Sequence, residues 1–257
     1  MLEIRHRHVH DGMTVKDAYD EMYVDTDLSM RDSYYLWMLD LLQANANSLL
    51  LDVACGQGRL VELASARGVP AIGTDISAGG LMKGARNAPD ALWVVADGVR
   101  IPLPDGSIDL IVSSGSLEHY DDPLAGVREI SRLLKADGRA AVLLPNAYGV
   151  FGNIQHVWQH GEIYDDGQPL QRCATRHTWE MLLNRGGLVV EQLVPFNEVN
   201  FPRTYDDARW LMRRPLRMTR GLLAQMVPPH MANQLVFLCR RAEESDQALY
   251  NPMWPAL

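Results

Sequence analysis

The sequence predicts a doubly wound α/β fold, a parallel sheet covered by helices on both faces, and three observations carry that prediction. From residue 48 onward, short apolar runs alternate with helix-like stretches; each run has the length of a fully buried strand; and capping or turn residues stand at the joints. The first strand is read at 49–54, followed by a helix at 59–67 that Gly68 stops and a strand at 71–74. Ser77 then opens a helix, and strands follow at 92–96 and 108–113. Asp122 before Pro123 gives a cap and a favoured first-turn proline for a helix at 124–134. The Ala136-Asp137-Gly138 sequence reads as a turn leading to a strand at 139–144 that ends at Pro145. A helix at 175–184, a strand at 188–194 and a last strand at 234–239 complete the series. Two stretches break the rhythm: an insertion at 146–172 rich in Gly, His, Asn, Gln and aromatic residues, and a helix at 203–226 carrying six Arg against two Asp.

Domain organisation follows from the same pattern. Residues 1–45 read as a helical N-terminal lid, 46–242 as a single α/β domain with its two additions, and 243–257 as a polar tail. With 24 basic and 32 acidic side chains the formal net charge is −8, which argues against a nucleic-acid backbone as partner because phosphate neutralisation needs a basic excess. Three widely spaced cysteines, Cys55, Cys173 and Cys239, and an N-terminus without a charged-then-apolar leader fit a reducing, cytoplasmic setting. The longest apolar runs fall far short of a membrane span.

The chemistry is concentrated in Asp52-Val53-Ala54-Cys55-Gly56-Gln57-Gly58, a strand running into a small-residue turn and then a helix. Small side chains there let backbone approach a ligand closely, and in an open parallel sheet such a turn lies at the strand carboxyl ends where ligands bind. Asp75 ends the second strand, where a carboxylate can accept from two ribose hydroxyls, and Asp97-Gly98 ends the third. Carboxylates at 52, 75 and 97 on successive strand ends suit a cationic nucleoside better than a pyrophosphate. Taken singly, Asp52 and Asp97 could be turn residues and Asp75 a helix N-terminal charge.

These motifs, with Thr74-Asp75-Ile76-Ser77, Ala96-Asp97-Gly98 and Ser113-Ser114-Gly115-Ser116-Leu117-Glu118-His119, resemble those of class I S-adenosylmethionine-dependent methyltransferases of the ubiquinone- and menaquinone-biosynthesis type over about residues 45–145. The resemblance implies a Rossmann-like, seven-stranded, mostly parallel sheet in which the 234–239 strand inserts antiparallel beside the strand at 139–144. It implies S-adenosyl-L-methionine as cofactor, with Asp52 and the backbone of Ala54, Cys55, Gly56 and Gly58 at the methionine end, Asp75 at the ribose and Asp97 at the adenine amino group. Ile76 and Gly98 would flank the ring, and Ser113 or Ser114 would offer a carbonyl near the methionine. Ala54 replaces the first glycine of the strictest form of the loop.

Transfer to an alcohol or phenol needs a base near the acceptor, and His119 is the first candidate, followed by His156, His160 and Tyr164 of the insertion. The alternative reading of His119 is a hydrogen-bonded loop residue packed on the cofactor. His156 and His160, one helical turn apart near Glu162, and the His6, His8, His10 alternation are the only metal-like patterns, and neither supplies a convincing third ligand. No metal is expected. Tyr19 and Tyr23 could close over the cofactor or simply pack in the core. The Arg stretch at 203–220, including Arg213, Arg214 and Arg217, is either a solvated face partly paired with Asp206 and Asp207, or a contact for an anionic acceptor or the headgroups of a membrane. The expected activity is oxygen methylation of a small molecule such as a sugar or secondary metabolite. Nitrogen or carbon methylation, a non-catalytic cofactor-binding protein and a Rossmann oxidoreductase remain open.

Overall fold

Strand β2 (Leu50–Val53) is buried on both faces, and its alternating side chains enter two apolar layers. Leu51 and Val53 pack into one layer and Leu50 into the other, as the two-residue period of a strand dictates. The chain continues as α3 (Arg59–Ala66), β3 (Ala71–Asp75), α4 (Ala78–Asn87), β4 (Leu92–Val95) and β5 (Ile108–Ser114), with the N-terminal β1 (Leu2–Arg5), α1 (Val15–Asp25) and α2 (Asp32–Leu41) preceding them. Then come α5 (Pro123–Leu133), β6 (Leu134–Pro145), α6 (Gln155–His160), β7 (Leu170–Cys173), α7 (Arg176–Arg185) and β8 (Leu188–Phe196). The last elements are α8 (Tyr205–Met212), α9 (Pro215–Ala224) and β9 (Gln234–Arg241). The computed structural model describes residues 1–5, 14–25, 28–197, 202–243 and 245–246. His6, His8, His10 and most of the 243–257 tail lie outside the described residues.

The central sheet has seven strands in the order β4-β3-β2-β5-β6-β9-β8. All neighbours are parallel except β9, which runs antiparallel between β6 and β8 as expected. The Rossmann-like, doubly wound expectation therefore holds. Chain order reverses between β2 and β5, paired at Val53↔Ser113, so the loops leaving these two strands diverge and open a crevice at the carboxyl edge. One apolar layer packs α5 and α7 on the sheet through Val127, Ile130, Trp179 and Leu183; the other packs α2 and α3 through Met38, Leu39, Leu60 and Val61. α2 thus belongs to the core of the sheet, while α1 lies on α4, with Ser77 Oγ donating to Asp20 Oδ1 at 2.5 Å and Lys83 Nζ to the Tyr23 carbonyl at 2.7 Å.

Local signals place most of the joints. Ser77, Asp122 and Thr175 each accept a backbone N–H three residues on, at 3.3, 3.0 and 3.2 Å. Three readings of the sequence differ from the structure. Residues 136–138 are not a turn between elements: β6 begins directly at Leu134, and its register against β5 jumps from Ile108↔Leu134 to Leu110↔Arg139. Gly138 lies so close to the Asp109 carbonyl that a Cβ would sit 2.9 Å from it, and Lys135 pairs with Asp109 at 2.7 Å, so the extra residues stay on the sheet as a bulge. The 203–226 helix is broken in two, because Pro215 holds Arg214 out of helical geometry at φ −132°, ψ 69°. The insertion is more ordered than a loop: it holds a wide helical turn at Val150–Ile154 leading into α6, and β7 pairs antiparallel with β1 in a two-stranded sheet.

Candidate functional site

A cavity of about 810 Å³ opens at the carboxyl edge, where the loops after β2 and β5 part. Asp52, Ala54, Cys55, Gly56, Ser114, His119, His156 and Tyr23 line it. Gly58, Asp75, Ile76, Asp97, Gly98, Ser113 and Tyr19 are not among the residues that line it.

The loop after β2 is held by Asp75. Its Oδ2 accepts the Gly56 N–H at 2.7 Å and its Oδ1 accepts the Ser77 N–H at 2.8 Å, so one buried carboxylate joins the glycine turn to the start of α4. Ala54 and Gly56 both take positive φ, 56° and 55°, and Gly58 lies at 74°. At Gly58 a Cβ would collide with the Trp93 ring, which is wedged between Gly58, Gly73 and Gly84 and donates through Nε1 to the Ala88 carbonyl at 3.1 Å. Tyr23 lies across Gly56 from the other side, its hydroxyl 2.9 Å from where a Cβ would stand. Tyr19 stacks on Tyr23 at 6.3 Å and donates to Gln168 Oε1 at 3.1 Å. Burial, and then the nearby Asp75, push the Asp52 carboxyl well above its usual range. Burial, with Asp52 and Asp75, likewise holds the Cys55 thiol up and unreactive. At the outer edge Asp97 is exposed and accepts the Val99 N–H at 3.1 Å, while the Tyr120 ring covers Gly98.

The loop after β5 carries polar and titratable side chains. Ser113 Oγ pairs with Ser116 Oγ at 2.8 Å and Ser114 Oγ with the Tyr34 hydroxyl at 2.5 Å, which fixes both serines. His119 Nδ1 meets the Leu170 carbonyl at 2.5 Å; since a carbonyl only accepts, Nδ1 carries the proton and Nε2 of the neutral ring is an acceptor. Nε2 stands 3.9 Å from Glu118 Oε1 and 3.8 Å from Asp166 Oδ2. Glu118 Oε2 is buried without a hydrogen-bond partner among the described residues. Burial raises its carboxyl from an ordinary value of 4.5 to about 7, against the opposing effect of His119. The folded protein therefore holds this proton to higher pH than the unfolded chain does, so stability falls as pH rises from about 4.5 to about 7 and levels off above. Glu118→Gln is expected to flatten that loss by about 3 kcal/mol, read as the difference between urea unfolding at acid and mildly alkaline pH. An identical pH slope in the variant would show that Glu118 keeps its charge throughout.

The insertion and β9 close the far side. His156 lines the cavity, 4.5 Å from the His160 ring and 5.6 Å from Tyr164, which also lines it. Among the described residues no three His, Cys, Asp or Glu side chains are grouped as a metal site. Asp207 does not pair with its own Arg stretch; it accepts from Arg31 Nε at 2.5 Å and from the Ser33 N–H at 2.7 Å, tying α8 to the start of α2. Arg31, Arg214 and Arg217 surround the Trp210 ring at 4.5, 4.6 and 5.2 Å. Glu118, Asp166, Asn233 and Gln234 are wall residues to which the sequence reading assigned no role. Only Glu118, beside His119, carried a local signal; the others arrive from distant elements.

Residues 51–142 match the family model described as a methyltransferase domain. Demethylmenaquinone methyltransferase of Beutenbergia cavernae is 34% identical over 104 residues, 40% of this chain and 43% of that protein. The 27-O-demethylrifamycin SV methyltransferase of Amycolatopsis mediterranei is 29% identical over 133 residues, 48% and 49% of the two chains. The chain thus spans about half the length, or less, of these curated relatives. Among solved structures, a putative methyltransferase in complex with the Trm112 activator of Haloferax volcanii superposes with a TM-score of 0.63 at 18% identity, covering 90% of this chain and 99% of that one. The 1,6-didemethyltoxoflavin-N1-methyltransferase of Burkholderia thailandensis, with 1,6-didemethyltoxoflavin and S-adenosylhomocysteine bound, gives 0.58 at 15% identity over 89% and 88%. At these identities the likeness is one of fold.

Proposed function

We propose, from the premise that residues 51–142 form a domain of the methyltransferase family, that the protein is an S-adenosylmethionine-dependent enzyme methylating a hydroxyl of a small-molecule acceptor. The observation that carries this reading is one cavity lined both by the strand-to-helix loop with Asp52 and by His119, whose Nε2 is an acceptor flanked by two carboxylates. The donor set fits the cofactor: among the described residues Asp52 and Glu118, which line the cavity, have no Lys or Arg partner, so a sulfonium and an ammonium would meet uncompensated acidic groups.

In this reading Asp52 and the backbone of Ala54, Cys55, Gly56 and Gly58 hold the methionine end, with Ser113 and Ser114 behind it. Asp75 and Ile76 serve the ribose side and Asp97 and Gly98 the adenine side. Each Asp75 oxygen keeps a lone pair beyond its backbone bond, so it can build the loop and still accept from a ribose hydroxyl. Tyr19 and Tyr23 on α1 cover the loop, which narrows the proposed lid from 1–45 to α1 itself, since α2 is core. When bound, the sulfonium supplies an already activated methyl group. His119 Nε2 takes the proton of the acceptor hydroxyl, and Glu118 and Asp166 stabilise the imidazolium that results. His156 faces the acceptor. An O-methylating relative supports oxygen as the acceptor atom. The free cysteines support a reducing compartment, and among the described residues no helix is long and apolar enough to cross a membrane.

Calorimetric titration tests the reading. Saturable one-to-one binding of S-adenosylhomocysteine is expected, together with transfer of labelled methyl to hydroxylated acceptors. Binding of a nicotinamide dinucleotide in its place, or cofactor binding with transfer only to nitrogen or carbon acceptors, would overturn it.

A further inference from the structure

Two clusters of opposite character line the same cavity. The first is the acidic group of Asp52, Glu118 and Asp166. The second gathers the start of α6, α9 and the start of β9. Arg220 donates to the Phe151 carbonyl and lies 5.4 Å from the Phe151 ring, one turn before Gln155. Asn233 packs on the same turn so closely that a Cβ on Gly149 would lie 2.6 Å from its Cα and one on Gly152 3.3 Å from its Oδ1. Gln155, Arg217, Arg220, Asn233 and Gln234 all line the cavity.

This second cluster is unsatisfied as it stands. Gln155 Oε1, Asn233 Nδ2 and Oδ1, and Gln234 Oε1 are buried without a hydrogen-bond partner among the described residues, although Asn233 is only 5% exposed. Buried polar groups in folded proteins are ordinarily paired, and four orphans on one wall mark a place where a ligand supplies the partners. Among the described residues Arg217 lies over the Trp210 ring and Arg220 on the Phe151 carbonyl, and neither has a carboxylate partner. Gly221 and Ala224 of this helix are buried and Arg220 is half-buried, Arg217 lines the cavity while remaining exposed, and Leu216, Leu222, Leu223 and Met226 stand exposed. A surface helix normally buries such apolar side chains. Two guanidiniums on one cavity wall without a carboxylate partner are placed to take an anion.

Resting on the reading of this cavity as a methyltransferase site, we propose that the acceptor is a phosphorylated polyol, its phosphate held by Arg217 and Arg220 and its hydroxyls by Gln155, Asn233 and Gln234. Carboxamides both donate and accept, which matches hydroxyl groups, and guanidinium forks match a phosphate. The outward apolar face would suit the same headgroup presented on a lipid.

The full chain is titrated with glucose 1-phosphate, inositol 1-phosphate and glucose, and co-sedimented with phosphatidylcholine vesicles with and without phosphatidylinositol. Arg217→Gln/Arg220→Gln and Asn233→Ala are tested beside the wild type, and S-adenosylhomocysteine is titrated separately into each. The expected result is binding of a phosphorylated probe at least about tenfold tighter than glucose, the gain given by a charge-assisted hydrogen bond. It should weaken about tenfold or more in both variants, with S-adenosylhomocysteine affinity held within about threefold. Binding of the soluble probes identifies a free sugar phosphate; binding confined to phosphatidylinositol vesicles identifies a lipid headgroup; either supports the proposal. Binding of neither, or binding indifferent to the Arg substitutions, overturns it. Failure of S-adenosylhomocysteine to bind any form strikes the donor reading instead, and leaves the phosphate titration to be judged on its own.

Discussion

Replacing His119 with asparagine is expected to lower turnover by about 10²–10⁴-fold, the range of a lost general base, while S-adenosylhomocysteine affinity changes by less than about threefold. Asparagine is chosen because its Nδ2 can still donate to the Leu170 carbonyl, which His119 Nδ1 meets at 2.5 Å, so the tie between the loop after β5 and β7 survives. What disappears is the Nε2 acceptor standing 3.9 Å from Glu118 and 3.8 Å from Asp166. Those carboxylates matter because a histidine that takes a proton becomes a cation, and in a buried wall that cation needs a counter-charge. His119→Ala should lose the same turnover and, in addition, some stability through the orphaned carbonyl. Single-turnover transfer rates beside calorimetric affinities separate the effects. Equal loss in both quantities for His119→Asn would make the imidazole a packing residue against the cofactor and remove it as a base.

Asp75→Asn is expected to be the more damaging change to the donor end. Two backbone donors, Gly56 N–H at 2.7 Å and Ser77 N–H at 2.8 Å, converge on the two oxygens of one carboxylate. An amide offers a single acceptor oxygen, so one N–H must face an NH₂ group, and the lost charge-assisted bond together with the orphaned donor costs about 2–4 kcal/mol. Burial raises the Asp75 carboxyl above its usual range while the Ser77 and Gly56 N–H groups lower it, so the site balances desolvation against these bonds. Because the turn at Gly56 is what Asp75 holds, S-adenosylhomocysteine affinity should fall by about five- to thirtyfold if half of that cost is expressed in binding. Urea unfolding and calorimetry measure the two effects. An Asp75→Asn protein with unchanged stability and unchanged affinity would show that the loop holds its shape without this carboxylate.

The elements themselves were legible along the chain because their causes are local. Ser77, Asp122 with Pro123, and Thr175 mark helix starts through bonds three residues away, and strands buried on both faces show as short apolar runs. The signals misled where a tertiary contact overrode a turn. Asp137-Gly138 has turn composition, yet the close approach of Gly138 to Asp109 keeps it on the sheet. Pro215 was a local warning inside the basic stretch, and its break separates α8 from α9.

By itself the sequence determined that a glycine-lined bend would follow a central strand, that Asp75 and Asp97 would end or closely follow the next two strands, and that His119 would sit just past β5. These follow from short-range geometry, in which residue spacing along a strand or turn dictates position. Only the tertiary structure decided that Tyr23 lies across Gly56, that Asp166 faces His119, and that Asn233 meets Gly149 and Gly152 of a segment more than eighty residues earlier. It also decided that Arg217 and Arg220 line the cavity while Leu216 and Met226 remain in the open. Such pairings depend on how the chain returns to itself, and no pattern of neighbours in sequence encodes them.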